Sequence, residues 1–464
     1  MMIPSANTLF AERALLPGGW QRNVALSWGA DGRLTSVESA VAPRNDSMLA
    51  AGPVLPGMCN LHSHAFQRAM AGLTEYLGHP QDSFWSWRDL MYRFAARLTP
   101  ETLYAVARQL YIEMLKAGYT SVCEFHYIHH DIDGRPYANP ARLSEQLIAA
   151  AHDAGIGLTL LPVLYQNSGF GGLPPLPQQA RFIASGDWML DLLARLAREH
   201  PVHDGLRYGA APHSLRAVTP QALDALRAAL HASDPLAPIH IHIAEQTREV
   251  DDGIVALGAR PVRWLLDHQP VDERWCLVHA THLTPDETAD LAASGAVAGL
   301  CPSTEANLGD GVFDAARYLN AGGRWGIGSD SHVSVSPLEE LRLLEYGQRL
   351  RDQRRNVLAC AAAPAVADRL YGQAVAGGAQ AAARPIAGLA PGQRADFIVL
   401  DAEHPDLAWR RDDQLLAGLI FCQHGDNPIR DVYAGGRRVV AERRHPAEGG
   451  AGHAYRTALK TLLA

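Results

Sequence analysis

From about His62 onward, short apolar runs alternate with longer stretches whose apolar residues recur at helical spacing. Runs of that kind suit buried strands, so the alternation predicts βα units around a parallel sheet. Eight strands are expected, at 59–64, 121–126, 158–164, 206–211, 239–244, 275–279, 297–301 and 325–329. Eight such units in about 270 residues is the size of a (β/α)8, or TIM, barrel. Thr219-Pro220 and Thr284-Pro285 each place a hydroxyl cap before a proline at a helix start, and Thr284 with Glu287 has capping-box spacing. Two connections are long for a compact barrel: 79–97, rich in aromatics (Phe84, Trp85, Trp87), and 167–186, rich in glycine and proline. Both are expected to be lids or binding loops.

The pattern differs at the two ends. Before residue 57 it reads as short strands and turns, for example 24–28 ahead of Gly29-Ala30-Asp31-Gly32. After about residue 385 it returns to β, with a strand at 392–401 and a hairpin at 429–440 turning on Gly435-Gly436. The fold class expected is therefore α/β: a barrel over 58–384 and a small β-sandwich assembled from 1–57 and 385–464.

Composition narrows the class of partner. With 464 residues, 47% of them hydrophobic, the chain can bury a large core. Its formal charge is −8 and no run of Lys or Arg stands out, which points away from nucleic acid and anionic membranes and towards a small-molecule substrate. The first thirty residues carry Glu12, Arg13 and Arg22 with no long apolar core, so neither a signal peptide nor a membrane span is expected and the protein reads as cytoplasmic. The six cysteines are scattered, four inside apolar runs, as reduced, buried thiols would be. Of 41 basic residues only Lys116 and Lys460 are lysines, which removes lysine from almost every mechanism.

Candidate chemistry falls at strand ends, where a barrel collects its active site. The first strand ends in His62-Ser63-His64, and in a strand residues i and i+2 share a face, so both imidazoles can grip one ion. A second His-x-His occurs at 240–242, so the pair alone says little. The fifth strand carries His242 with Glu245 following, the sixth ends at His279, and the eighth ends at Gly328-Ser329-Asp330. Any one of these residues has an ordinary structural use as a core imidazole, cap or turn residue. Together they place polar groups at four of eight strand ends on the face that matters. Three imidazoles and one carboxylate around a divalent ion leave a position for water, the outline of a hydrolytic site.

These marks, with Pro56-Gly57 ahead of the first strand, His242-Ile243-Ala244-Glu245, Ser329-Asp330-Ser331 and Ala395-Asp396-Phe397-Ile398-Val399, resemble the amidohydrolase superfamily over nearly the whole chain. Within it the sequence is similar to the deaminases, and most of all to the formimidoylglutamate deiminases, through His64-Ala65-Phe66-Gln67-Arg68, Phe84-Trp85-Ser86-Trp87-Arg88, Glu124-Phe125-His126-Tyr127 and the segment Cys301 to Gly311. The resemblance implies a distorted barrel joined to a β-sandwich of both termini, and a homodimer. It selects His242 over His240 as the ligand, because the family places it three residues before the acid, giving a metal set of His62, His64, His242 and Asp330. Binuclear relatives bridge two ions near the end of strand four; that strand here offers neither lysine nor carboxylate, so one divalent ion is expected, zinc first and iron as the alternative. His279 and Asp330 are expected to take a proton from water, and Glu245 to hand one to the leaving nitrogen.

The implied reaction is hydrolytic deimination of N-formimino-L-glutamate to N-formyl-L-glutamate and ammonia, as in histidine degradation. That substrate carries two carboxylates, so two arginines are expected at the barrel mouth, and Arg88 and Arg216 are placed for it. By resemblance Gln67, Tyr127 and His213 complete the substrate contacts. The alternatives are a guanine, aminopurine or other nucleobase deaminase, which would want aromatic stacking in place of paired arginines, and a catalytically silent scaffold, which needs no intact acid, base and ligand set.

Overall fold

The computed structural model describes residues 7–76, 84–422 and 425–464, the side chains of 84–86 excepted. Eight parallel strands form the barrel: Met58–Ser63, Tyr119–His126, Gly157–Leu164, Leu206–Tyr208 continued by Ala211–Pro212, Ile239–Ile243, Trp275–His279, Val297–Leu300 and Arg324–Ile327. All lie on the expected segments, but the fourth is split. Gly209 explains the break: a Cβ there would lie 2.4 Å from the Pro238 carbonyl oxygen, so the strand steps aside where the next one enters.

The eight strands pair as two sheets of four, and two parallel bridges close the circle, Ala210 to Ile239 and Ser63 to Asp330. Inside, Leu61 packs with Cys276, Val278, Val297, Cys301 and Ala381. Gly299 and Gly326 make room for it, since a Cβ on either would meet a Leu61 methyl at 2.9 or 2.6 Å. The helices carry the expected caps: the Thr219 side chain accepts the Ala222 N–H, and Thr284 forms a capping box with Glu287.

Helix Val366–Ala382 packs on the first and eighth strands at the end of the barrel away from the candidate residues. There Gly377 touches backbone: an added Cβ would lie 1.7 Å from the Trp325 carbonyl oxygen. Neither partner can yield without moving a strand or a helix, so Gly377→Ala is expected to cost at least about 3 kcal/mol, read as a lower denaturant midpoint. An unchanged midpoint would mean that this helix is not locked against the barrel.

Both chain ends meet in one eight-stranded sheet. Phe397–Leu400 pairs antiparallel with Val54–Pro56, joining the hairpin Ile429–Ala434 and Arg437–Val440 to the amino-terminal strands Asn7–Leu16, Gly19–Trp28 and Leu34–Glu38. The two layers expected of a sandwich are the arms of this single sheet, which folds over a shared core. Trp28 of one arm sets its ring 5.7 Å from Phe397 and 6.0 Å from Tyr433 of the other. The hairpin turns at Gly435 and Gly436, both at positive φ.

One expected loop is largely a helix. Within the connection 79–97, residues 79–83 lie outside the described residues, while Phe84–Ala95 is helical. Met91, Tyr92, Phe94, Ala95 and Leu98 are buried, and Trp87 packs against the same core. Trp87, Met91, Phe94 and Leu98 thus recur at helical spacing and form one apolar stripe. The connection 167–186 is irregular apart from one tight turn at Pro177–Gln179.

Candidate active site

The seam that closes the barrel also builds the site. Across it the Asp330 N–H donates to the His62 carbonyl at 3.0 Å, and the His64 N–H donates to the Asp330 carbonyl at 3.3 Å. This pairing sets the Asp330 carboxylate against both imidazoles of the first strand: Oδ1 lies 3.4 Å from His62 Nε2 and 3.3 Å from His64 Nε2. His242 reaches in from the fifth strand, its Nε2 3.0 Å from His62 Nε2.

The opposite ring nitrogens show what this cluster suits. His64 Nδ1 bonds to the Phe125 carbonyl at 2.9 Å and His242 Nδ1 to the His213 carbonyl at 3.1 Å. A carbonyl only accepts, so both Nδ1 atoms carry hydrogen and both neutral rings turn an Nε2 lone pair inward. Burial lowers the pKa of His62 to about 3 and that of His242 well below the ordinary range, which keeps the rings neutral. Burial would raise Asp330, but the hydrogen bond from His62 and the other nearby histidines hold it well below the usual carboxylate range. The inward lone pair of His64 faces the Asp330 carboxylate at 3.3 Å, an approach that repels unless a cation lies between them. The donor set of three imidazole nitrogens and a carboxylate fits zinc or iron.

A buried network that the sequence did not reveal fixes the first strand from behind. Glu124 accepts the Ser63 hydroxyl at 2.6 Å, the Tyr111 hydroxyl at 3.1 Å and the Ala65 N–H at 2.6 Å. His332 sits between the hydroxyls of Ser63 and Ser329, at 3.1 and 2.9 Å. The one sequence signal was Glu124, the single carboxylate in the strand Tyr119–His126.

Acids surround His279. Its Nε2 lies 3.7 Å from Glu245 Oε1 and 3.8 Å from Asp330 Oδ2, and its Nδ1 bonds to Glu305 Oε1 at 3.3 Å. Glu305 in turn accepts the Cys301 N–H at 2.8 Å. Burial works against a charge on His279, yet Glu245, Glu305 and Asp330 together lift its pKa to about 10. Burial, with Asp330 and Glu249 nearby, pushes Glu245 up to about 7, against the pull of His279. Glu249 accepts the Glu245 N–H at 3.1 Å, and Asp310 accepts from the Gln246 amide. Ala244, His279, Ala280, Asp330 and His332 all have positive φ, so the strand ends that carry this chemistry hold strained backbone.

A pocket opens over these groups, lined by His64, His242, Glu245, His279 and Asp330 on its floor and by Gln67, Arg88, Tyr127, His213 and Arg216 on its walls, together with Trp87, Tyr92 and Tyr165. Gln67 Nε2 donates to the Tyr127 hydroxyl at 2.9 Å. Arg216 is buried with Nε 3.9 Å from Glu249 Oε1, and Arg88 stacks its guanidinium 5.6 Å from the Tyr92 ring centre. Three groups stand apart. His240 points a layer deeper and bonds to the Ala381 carbonyl at 2.8 Å, Lys116 pairs with Glu448 at 2.7 Å, and Lys460 lies on the last helix, Glu448–Leu463.

The sequence matches the amidohydrolase family over residues 54–439 and the N-terminal domain of formimidoylglutamate deiminase HutF over residues 6–49. It is 56% identical to a formimidoylglutamate deiminase of Pseudomonas aeruginosa, covering 98% of this chain and 100% of that one. It is 29% identical to an 8-oxoguanine deaminase of the same species, over 83% of this chain and 82% of the other. A crystal structure of an amidohydrolase from Brucella melitensis superposes with a TM-score of 0.93 at 48% identity, covering 99% and 100% of the two chains.

Proposed function

The chain belongs to the amidohydrolase family, and we propose that it is a formimidoylglutamate deiminase, hydrolysing N-formimino-L-glutamate to N-formyl-L-glutamate and ammonia in histidine degradation. The observation that carries this reading is a pocket presenting two guanidinium groups, Arg88 and Arg216, above a cluster of metal-capable donors with a buried acid beside it. Two cations suit a substrate with two carboxylates, and a flat uncharged nucleobase offers them no charge to pair with. Gln67, Tyr127 and His213 line the same walls and are assigned to substrate contacts.

In this assignment His62, His64, His242 and Asp330 hold one divalent ion, zinc or iron. The ion supplies Lewis acidity that makes a water nucleophilic near neutral pH. Asp330 and His279 are assigned to take the proton that water gives up, His279 once the charge of the ion offsets the acids that otherwise hold it protonated. Glu245, poised near neutrality, carries a proton at Oε1 to the amidine nitrogen, because the carbon–nitrogen bond breaks readily only when ammonia can leave neutral. Glu305 and Glu249 hold His279 and Glu245 in place. The same reading takes the protein as a cytoplasmic homodimer acting on a small molecule, with no nucleic acid or membrane partner. Among the described residues no helix is long and apolar enough to cross a membrane.

Ion content tests the single-site assignment. The other metal-capable groupings among the described residues, His279 with Cys301 and Glu305 and His279 with Glu245 and Asp310, both draw on the same imidazole. Purified protein is expected to hold about one divalent ion per chain, to lose ammonia release on chelation and to regain it on adding zinc or iron back. Two ions per chain at full activity would overturn it.

A further inference from the structure

Gln179 lies in the irregular connection 167–186 yet is fully buried. Its Oε1 accepts the Leu176 N–H at 2.8 Å, which fixes the orientation of the amide. Its Nε2 then donates to two phenol oxygens, Tyr92 at 3.0 Å and Tyr165 at 2.9 Å. Tyr92 belongs to the helix Phe84–Ala95 and Tyr165 follows the third barrel strand, so a single amide fastens the connection to both walls of the pocket.

Counting hydrogens shows what this leaves over. An amide NH2 carries two hydrogens, and here each goes to a phenol oxygen. Each phenol therefore accepts from Gln179 and keeps its own hydrogen for another acceptor. Among the described residues the only interaction available to those hydrogens is between the two hydroxyls themselves, which uses one and leaves the other. Burial pushes the Tyr165 phenol up, so it stays protonated. Both rings line the pocket beside Arg88 and Arg216, where a third cation would be repelled by the first two while a neutral donor would not.

We propose that Tyr92 and Tyr165, oriented by Gln179, donate a hydrogen bond to a substrate carboxylate and so help to set specificity, with Gln179 as a positioning residue. The proposal rests on the formimino-glutamate reading. The test compares wild type, Tyr92→Phe, Tyr165→Phe, the double variant, and Gln179→Leu both alone and added to the double variant, each checked for ion content and melting. The substrates are N-formimino-L-glutamate and two analogues, one lacking the α-carboxylate and one lacking the side-chain carboxylate. At least one single Phe variant is expected to lose about 10- to 150-fold in kcat/KM on N-formimino-L-glutamate, mainly through KM, the range for a lost hydrogen bond to a charged group. On the analogue that lacks the contacted carboxylate, that variant and wild type should differ by less than about threefold, and Gln179→Leu should add little to the double variant. A purely structural role would depress all three substrates alike. Equal losses on all three, or Phe variants within about threefold of an active wild type on N-formimino-L-glutamate, overturn the contact alone. A wild type that holds its ion but leaves N-formimino-L-glutamate untouched overturns the substrate reading and the contact with it.

Discussion

Glu245→Gln is expected to keep its ion and its fold while kcat falls by roughly 10² to 10⁴, the range for a lost general acid–base group. The amide preserves the shape of the side chain and leaves the Glu245 N–H bond to Glu249 untouched, so packing should not change. What goes is a carboxyl that burial and neighbouring acids hold near neutrality, where it can both carry and release a proton. The change also removes one of the three acids that lift His279, so some of the loss will come through that ring. Measuring kcat alongside ion content separates the two kinds of failure. Full ion with a loss below about tenfold would mean that the proton comes from elsewhere, and Asp310, within reach of both Glu245 and His279, would be next to examine.

The barrel was legible because its strands must be apolar on both faces, and its site because polar residues ending such strands have few other reasons to be there. What the sequence could not show was contact across the seam. That Asp330 lies against His62 follows from the eighth strand pairing with the first, a closure no local pattern encodes. The supporting acids were hidden for a similar reason: Glu124, Glu249 and Glu305 act through residues far away in the chain or one turn on, and singly each looks like any carboxylate. The helix Phe84–Ala95 is hard to tell from a loop in sequence because its aromatic content masks the spacing of four and seven residues from Trp87 to Met91 and Phe94. The terminal sheet was visible strand by strand, but its continuity depends on Phe397–Leu400 meeting Val54–Pro56 across most of the chain.

The arginines give the sharpest test of substrate. If Arg88 and Arg216 each bind one carboxylate of N-formimino-L-glutamate, truncating either should lower kcat/KM by about 30-fold to several thousand-fold, the cost of about 2 to 5 kcal/mol for a charged bond lost in a desolvated site. The two positions will not behave alike in folding. Arg216 is buried 3.9 Å from Glu249, so Arg216→Ala strands a buried carboxylate and should also lower stability, whereas Arg88 sits on a partly exposed face of its helix. Kinetic losses must therefore be set against melting and ion content before they are assigned to binding. A matched substrate removes that ambiguity. Replacing the side-chain carboxylate of the substrate by an amide should hurt wild type severely and should hurt the variant that has lost that contact far less, because the interaction is already gone. A general defect in folding would penalise both substrates equally. If both arginine variants deiminate N-formimino-L-glutamate normally, or wild type prefers an uncharged purine, the two cations serve Glu249 and the pocket walls instead, and the protein is a metal-dependent deaminase of another substrate.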